Sequence, residues 1–428
     1  MKEKFKTVIL VVLIALSLYQ SYLLAYSKPD FDPVSQDEYV EAEWIGEPKE
    51  LEQLVFPTEM ILHLSEGRHT VLYPGFQFYN LVYDKIRQRT FGGFREISTD
   101  FSTIEMRDRQ LGLEIRFRQP VPIETLTKLM TIRPDNPDLP QTVRRIWITI
   151  EPESEQVRTF FSSAHESVWY EATQADLTVR DVQEMVGFGE FLPAYHPQRN
   201  GNYYLPNEPI SAVKAKVAYN RYTPEQLQKS LFVDPASSRH LLERDGTEIY
   251  TDGKRGLQIY HGRHWMSFSD PVAPMDAYHD LRESLLASVK FVNRHGGWNG
   301  IYLWSGLEED VVRQFLFRQY YRPYANQQAL PILPTDALEF GYIRLGIQRG
   351  TVTHYERSLI ELEDEVLEVS EATLPGGHEL IQLLNEFERS NEIRAVFPAY
   401  APRLNEQYVE LVPKWAALLE NGEEVFLH

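Results

Sequence analysis

The chain has 428 residues and no cysteine, and its 43 lysines and arginines against 62 aspartates and glutamates give a formal net charge of −19. This acidic balance argues against nucleic acid or an anionic lipid surface as a partner, because both attract basic patches. The absence of cysteine excludes thiol catalysis, disulfides and cysteine-ligated zinc. With 43% hydrophobic residues, a chain of this length is expected to form two or three domains.

The chain opens with an uncharged run of 21 residues. Lys2, Lys4 and Lys6 precede residues 7–27, and Lys28 follows them. At about 1.5 Å per residue, a helix of this length reaches roughly 30 Å, which is the thickness of the hydrocarbon core of a bilayer. Lysines before the run and acidic residues after it predict a transmembrane helix within residues 1–27, with a cytoplasmic N-terminus and the rest of the chain outside.

The alternative to a membrane anchor is a secretory signal peptide. Its apolar region would be residues 8–16, and a weak cleavage site would lie at residues 25–27. Tyr22, Leu23 and Leu24 extend the apolar stretch with bulky side chains up to that site, which favours an uncleaved anchor. Either segment would export the body of the protein.

Polar residues of the predicted span fall on one helical face. Ser17, Gln20 and Ser21 are spaced i, i+3 and i+4, and Leu24 extends the same stripe. An amide that faces lipid tails leaves its hydrogen-bonding groups unpaired, so the stripe is expected to contact another helix. The alternative is that Gln20 reaches headgroup water at the outer interface.

An acidic stalk is expected at residues 28–56, followed by an α+β domain at residues 57–209. Apolar residues at helical spacing predict an amphipathic helix over residues 76–89. Strands are expected at Glu59–Leu64, 69–73, 111–118, 145–151 and Gln156–Ser162. A loop rich in proline, glycine and asparagine at residues 193–209 marks the predicted end of the domain.

Two further α+β domains are predicted, a central one at residues 210–328 and a C-terminal one at residues 329–428. Each has the order strands, one amphipathic helix, strands, which is typical of an antiparallel sheet packed on a helix. The helix of the central domain is expected over residues 278–292. The C-terminal helix is indicated by the spacing of Leu380, Leu383, Leu384 and Phe387. We therefore expect two similar modules with separate cores.

No residue is predicted to be catalytic, to bind a cofactor or to ligate a metal. His261 and His264 are three apart in a predicted hairpin, so their side chains should point to opposite faces. Asp245 and Asp252 each precede a glycine, which favours hairpin turns over a calcium loop. The acidic run at residues 308–310 indicates a solvated turn rather than the paired carboxylates of a glycosidase.

Three segments resemble the YycH family. They are residues 230–271 (SLFVDPASSRHLLERDGTEIYTDGKRGLQIYHGRHWMSFSDP), 317–322 (FRQYYR) and 411–415 (LVPKW). The N-terminal span, the stalk and the overall length extend the resemblance over nearly the whole chain. The related YycI family shares the two C-terminal modules but lacks the first domain, so the length favours YycH.

The resemblance implies an exported, single-span accessory protein of Firmicutes without catalytic residues. Such proteins act with YycI on the sensor histidine kinase called YycG or WalK, which controls cell-wall metabolism. Their main regulatory contact is made through transmembrane helices, which would give Ser17, Gln20 and Ser21 their role. Two other classes stay open from the residues alone: an exported glycan-binding protein or hydrolase, and a carrier of lipid or another hydrophobic ligand.

Overall fold

The computed structural model describes residues 6, 10, 12–20, 45–97, 104–133, 139–163, 168–271, 280–308 and 313–427. The chain forms two compact units, Met1–Val40 and Glu41–His428. In the first unit, residues 12–20 are helical. Among the described residues, no helix combines the length and the apolar character that crossing a membrane requires. Most of the second half of the predicted span, including Ser21 and Leu24, lies outside the described residues.

The second unit is rich in strands. Those of the first half are β1 (Glu59–Leu64), β2 (His69–Leu72), β3 (Thr90–Ile97), β4 (Leu111–Pro122), β5 (Thr131–Ile132), β6 (Thr142–Glu151), β7 (Gln156–Ser162), β8 (Trp169–Ala175), β9 (Tyr195–Gln198) and β10 (Tyr203–Pro206). Those that follow are β11 (Ile210–Arg221), β12 (Arg239–Leu242), β13 (Glu248–Thr251), β14 (Gly256–Tyr260), β15 (Trp265–Ser269), β16 (Ile301–Glu308), β17 (Arg313–Tyr321), β18 (Leu330–Pro331), β19 (Tyr342–Gln348), β20 (Thr351–Ser358), β21 (Ile360–Leu374), β22 (Ile393–Leu404), β23 (Tyr408–Leu419) and β24 (Glu424–Phe426). The predicted α+β class is confirmed.

Helices of the second unit are short and pack on the sheets. They are α1 (Gln77–Arg87), α2 (Ile104–Arg109), α3 (Ile123–Leu129), α4 (Val179–Gly187), α5 (Pro224–Leu231), α6 (Leu281–Arg294) and α7 (Gly377–Glu386). Single 3-10 turns occur at Leu51–Gln53, Phe188–Phe191, Arg199–Gly201, Pro235–Ser237, His261–Arg263 and Ser390–Glu392. Helix α5 begins at a capping residue: Thr223 accepts a hydrogen bond from the Gln226 N–H, and Pro224 occupies the first helical position.

The first ten strands form one sheet, the N-terminal sheet. Its order is β10-β9-β2-β1-β4-β6-β7-β8-β3-β5, and within the described residues the β3–β5 pair alone is parallel. The predicted loop at residues 193–209 therefore contains two strands. Proline and glycine concealed them because both strands have only four residues. Strand β10 is the edge strand, where proline is tolerated, and β9 pairs with β2 at only His69 and Tyr195.

The other strands form two interleaved sheets. The central sheet has the order β12-β13-β14-β15-β20-β19-β17-β16, with β18 paired to β17. The C-terminal sheet has the order β21-β11-β23-β22, with β24 paired to β23. Strand β11 precedes the central sheet in sequence but joins the C-terminal one. Strands β19 and β20 lie after residue 328 but join the central sheet. The sheets therefore do not divide at residues 328/329, and the two modules are not consecutive in the chain.

Apolar clusters follow the sheets rather than the predicted ranges. Leu285 of α6 belongs to a large cluster that also contains Leu62 and Leu113 of the N-terminal sheet. Leu384 of α7 belongs to a separate cluster with Trp415. The two helices thus pack in different cores, but the core of α6 is continuous with that of the first domain. The division into three folding units stays a prediction.

Residues 45–56, expected to belong to the stalk, pack on the body instead. Leu51, Leu54 and Val55 are buried, and Glu47 forms an antiparallel bridge with Trp298. These apolar residues fall within five positions of each other, which is too short a pattern to predict this packing from the sequence.

Candidate functional site

The predicted partner-helix stripe is described only in part. Ser17 and Gln20 lie in the helical residues 12–20 and are exposed. Ser21 and Leu24 lie outside the described residues. The role of the stripe stays a prediction.

The other polar motifs of the sequence have local structural roles. Nε2 of His261 lies 2.7 Å from Oε1 of Glu248, and His264 adopts a left-handed φ of +52° after a 3-10 turn. Oδ1 of Asp245 accepts the N–H of Thr247 at 2.9 Å, as in an Asx turn. In the part of the chain that the structure describes, no group of three or more histidine, aspartate and glutamate side chains could hold a metal ion.

A cluster of buried charges is centred on Glu114 of β4, whose side chain is fully buried. Its Oε2 lies 2.9 Å from Nη2 of Arg116 and 3.4 Å from Nε of Arg107, and its Oε1 lies 3.6 Å from Nη1 of Arg145. Burial alone would raise the pKa of this carboxyl group, but Arg107 and Arg116, with His63 and Arg145, hold it well below its usual range. Glu114 is therefore ionised, and it is the counter-charge of three arginines.

Two buried histidines extend this cluster. Nδ1 of His63 lies 2.9 Å from Nδ1 of His69, and Nε2 of His69 lies 3.0 Å from Oδ1 of Asp108. Because a carboxylate only accepts, Nε2 of His69 carries its proton, and its Nδ1 accepts from His63. Burial lowers the pKa of both rings, to about 4 for His63. Both histidines are neutral at pH 7.

The turn between β9 and β10 covers the cluster. Arg116 donates to the carbonyl oxygens of Gly201 and Asn202, both at 2.6 Å, and Arg107 donates to that of Asn200 at 3.1 Å. Gly201 has a φ of +79°, and a Cβ at this position would lie 2.6 Å from Nη1 of Arg107. Only glycine fits between the arginines at this conformation.

The same turn connects the N-terminal sheet to the C-terminal sheet. Nη1 of Arg199 donates to the carbonyl oxygens of Asn391 at 2.8 Å and Ile393 at 3.1 Å, where β22 begins. The turn is therefore held from both sides by arginine side chains that donate to backbone oxygens.

A cleft lies beside this turn, where the N-terminal sheet, strands β17 and β18, and the C-terminal sheet meet. The charged side chains that line it are five arginines and one glutamate: Arg116, Arg118, Arg144, Arg145, Arg394 and Glu59. Aromatic rings contribute much of the remaining wall, among them those of Tyr73, Tyr320 and Phe397.

Arg118 of β4 makes an enclosed contact across the cleft. Its side chain is 6% exposed, and its guanidinium lies 4.2 Å from the centre of the Phe397 ring and near the Tyr320 hydroxyl. Its Nη2 lies 3.7 Å from Oε1 of Glu424, but Oε2 of Glu424 already accepts from Arg318 at 2.7 Å. Within the described residues, Nε of Arg118 has no hydrogen-bond partner.

Arg394 of β22 faces Arg118 across the cleft. Its side chain is half-buried. Burial, and after it the positive charge of Arg118, lower the pKa of Arg394, and Glu420 opposes this effect. Two arginines from different sheets thus repel each other at this point.

Sequence reasoning missed both the cluster and the cleft. Glu114, Arg116 and Arg118 alternate with apolar residues in β4, so they share a face. This alternation of charged and apolar residues was the available signal. Their partners come from β6, β22 and the β9–β10 turn, and nothing in the local sequence predicts these contacts.

Comparisons with known proteins place the chain beside one family. Two family models match it, "YycH protein, N-terminal domain" over residues 3–186 and "YycH protein, C-terminal domain" over residues 200–424. The crystal structure of YycH from Bacillus subtilis is similar with a TM-score of 0.72 and 19% identity, over 91% of this chain and 99% of that one. This likeness shows a shared fold.

A second solved structure is much less similar. It is that of an uncharacterized protein from Eubacterium rectale ATCC 33656, with a TM-score of 0.33 and 10% identity over 53% of this chain and 84% of that one. A score this low does not bear on the fold. No curated protein matches the chain by sequence.

Proposed function

Because the chain belongs to the YycH family, we propose that it is a membrane-anchored, non-enzymatic regulator of a YycG/WalK-like sensor histidine kinase that controls cell-wall metabolism. The match of the family models over residues 3–186 and 200–424 carries this proposal, because it includes the N-terminal segment as well as the body. In this proposal the chain crosses the membrane once, the body lies outside the cell, and a YycI-like protein is the second partner.

The N-terminal stripe would make the contact inside the membrane. Ser17, Gln20, Ser21 and Leu24 share one helical face, and a glutamine amide within the hydrocarbon core can find a hydrogen-bond partner on another helix. Interhelical hydrogen bonds of this kind contribute about 1–2 kcal/mol in model peptides, which is enough to bias the choice of partner.

The body would make the contacts outside the cell. The carboxylate at the centre of its buried charge cluster, Glu114, is fully buried and paired with arginines. Arginine side chains and continuous apolar clusters join its sheets, which supports a role as a fixed surface for protein contacts. A regulator needs such a surface, whereas an enzyme needs accessible reacting groups.

Replacing Gln20 tests the contact inside the membrane. Gln20→Leu in the full-length protein should weaken co-purification with the kinase or the YycI-like protein by about 5- to 30-fold, which is the equivalent of 1–2 kcal/mol. Kinase output, measured with a reporter of its target genes, should change with it. Tyr19→Leu is the matched control, because it also removes a polar group from the helix but lies off the stripe.

Unchanged capture and unchanged kinase output in Gln20→Leu, at equal expression, would refute the helix contact. Equal losses in Gln20→Leu and Tyr19→Leu would indicate a general effect on insertion instead of a specific contact.

A further inference from the structure

Strand β12 is an open edge of the central sheet. It pairs with β13 on one side, and in the part of the chain that the structure describes no strand pairs with its other side. Residues 239–246 are all exposed, and the exposed fractions of Leu241 and Leu242 are 56% and 69%. Proteins usually protect an open edge from other strands, whereas an exposed apolar edge is a template for one. Two adjacent leucines on β12 thus indicate a strand that receives a partner.

The backbone of β12 presents hydrogen-bonding groups on its open side. The N–H of Glu243 donates to the carbonyl oxygen of Thr247, so Glu243 faces β13. Because successive residues of an antiparallel strand direct these groups to alternate sides, Leu241 also faces β13. The N–H and C=O groups of His240 and Leu242 therefore point away from the sheet, towards an incoming strand.

Side chains of neighbouring strands hold β12 in place. The His240 ring stacks on that of Tyr250 with their centres 4.6 Å apart, and its Nε2 lies 3.1 Å from Oε2 of Glu248. Oε1 of Glu248 in turn lies 2.7 Å from Nε2 of His261. The edge is therefore positioned before a partner arrives, which lowers the entropic cost of association.

We propose that β12 pairs in an antiparallel direction with β12 of a second copy of this chain, in a register centred on Leu241. Leu241 then lies opposite its own counterpart, and Arg239 of each copy lies opposite Glu243 of the other. His240 and Leu242 exchange backbone hydrogen bonds across the interface. Residues 239, 241 and 243 share one face of the strand, so two pairs of opposite charge flank the contact between leucines.

Charge complementarity selects this register over its neighbours. Both Arg239 and Glu243 are exposed, and within the described residues neither forms an ion pair. A register with His240 opposite itself would place Arg239 against Leu241. A register with Leu242 opposite itself would place Leu241 against Glu243. Either shift loses both Arg239–Glu243 pairs and sets a charged group against a leucine, which the centred register avoids.

The pairing extends the central sheet into the second copy, through a small interface. Strand β12 has four residues, whereas stable interfaces typically bury about 1,200–2,000 Å². The dimer is therefore weak when the copies are free in solution. A membrane anchor, as proposed above, would confine both copies to one surface and raise their effective concentration. Only this gain in strength depends on the proposed function, because the pairing itself is made by the body.

Introduced cysteines test the pairing, because the chain has none of its own. In the centred register the two copies of Leu241 form a non-hydrogen-bonded pair with Cα atoms about 4.5 Å apart, which a disulfide can bridge. Full-length Leu241→Cys protein in detergent should form a disulfide-linked dimer under mild oxidation on the order of tenfold faster than a control. Leu367→Cys is the matched control, because Leu367 is 48% exposed on β21, the edge strand of the C-terminal sheet.

Two further measurements address the register and the charges. A mixture of Arg239→Cys and Glu243→Cys proteins should form mixed dimers. Arg239→Cys alone should not cross-link, since its two cysteines would lie roughly 13 Å apart along the strands. In the Leu241→Cys protein, Arg239→Glu should slow cross-linking about tenfold because like charges then lie opposite each other, and the further change Glu243→Arg should restore the rate.

Equal rates of cross-linking in Leu241→Cys and Leu367→Cys would overturn the pairing. Cross-linking of Arg239→Cys alone as fast as in the mixture would overturn the register, and so would a failure of Glu243→Arg to restore the rate. No kinase is present in these measurements, and the Gln20→Leu experiment tests the kinase contact by itself. The failure of this pairing and the failure of the proposed function are therefore distinguishable.

Discussion

The buried cluster around Glu114 makes the sharpest prediction about stability. Glu114→Gln keeps the shape of the side chain but removes the negative charge that Arg107, Arg116 and Arg145 share. Breaking a buried ion pair typically costs about 3–5 kcal/mol, because the remaining charge stays buried. Arg116 keeps Glu59 at 3.2 Å and two carbonyl oxygens, so we expect the lower end of this range, about 3 kcal/mol.

Hydrogen exchange of the N-terminal sheet measures this loss where it occurs. A decrease of about 3 kcal/mol corresponds to roughly 150-fold faster exchange of the amides of β1, β4 and β6 that open with the cluster. Glu171→Gln is the matched control in the same sheet. Its partners Arg95 and Arg158 are 65% and 28% exposed, so its loss should stay below about 1 kcal/mol.

Equal and small changes in the two variants would refute the reasoning. They would mean that the turn between β9 and β10, with its backbone carbonyl oxygens, satisfies the arginines without Glu114. A second variant, Arg107→Lys, then distinguishes the two sources of stability, because a lysine retains the charge but reaches fewer acceptors.

Two more predictions concern pH and the cores. His63 has a folded pKa of about 4 against 6.5 ordinarily, so the unfolded chain binds its proton first as the pH falls, and stability present at pH 7 is lost between pH 6.5 and 4. The free energy of unfolding by urea should therefore be about 2 kcal/mol lower at pH 5 than at pH 7 from His63 alone, and His63→Gln should flatten this slope; an unchanged slope contradicts the assignment. Leu285→Ala and Leu384→Ala should each cost about 2–5 kcal/mol, but hydrogen exchange should change in the N-terminal and central sheets for the first and in the C-terminal sheet for the second. Equal loss of protection in all three sheets from either variant would mean one shared core.

Local pattern was sufficient to predict most elements of the fold. The strand Glu59–Leu64 and the strand Gln156–Ser162 were predicted at their observed bounds, and helix α1 within two residues. In these segments the apolar residues that set the spacing are the residues that the fold buries, so the spacing predicts the element directly.

Pro413 lies in β23 where one side of the strand has no partner strand. Sequence pattern predicts one strand that ends at Pro413 and a second that begins at Trp415, but β23 runs through both as a single strand. On one side of β23, β11 pairs with residues 408–411 and β24 with residues 416–418, so no strand requires an N–H from Pro413 on that side. Proline is therefore tolerated inside this strand, and only the tertiary pairing reveals why.

Contacts between distant segments could not be predicted. Arg118 and Arg394 are separated by most of the body, and Glu114 meets the turn at residues 199–202 only because β9 and β10 fold back on β2. Charged residues in a sequence usually indicate a solvated face, so a buried ion cluster contradicts the ordinary rule. The order of the strands, which decides these contacts, is absent from local periodicity.

The interleaving of the sheets has a consequence for the order in which the chain becomes structured during its synthesis. All strands of the N-terminal sheet lie within Glu59–Pro206, so that sheet can form as soon as they have left the ribosome or the export channel. Strand β11 must wait roughly 190 residues for β23, which at typical translation rates of about 5–20 residues per second is roughly 10–40 s. The other edge of β11 pairs with β21, which precedes β23 in the chain, so one edge of a long strand stays unpaired for that time, and an unpaired edge is a site of aggregation. Loss of the last twenty residues would likewise not remove a separate module but would leave β11 and β22 without the strand between them.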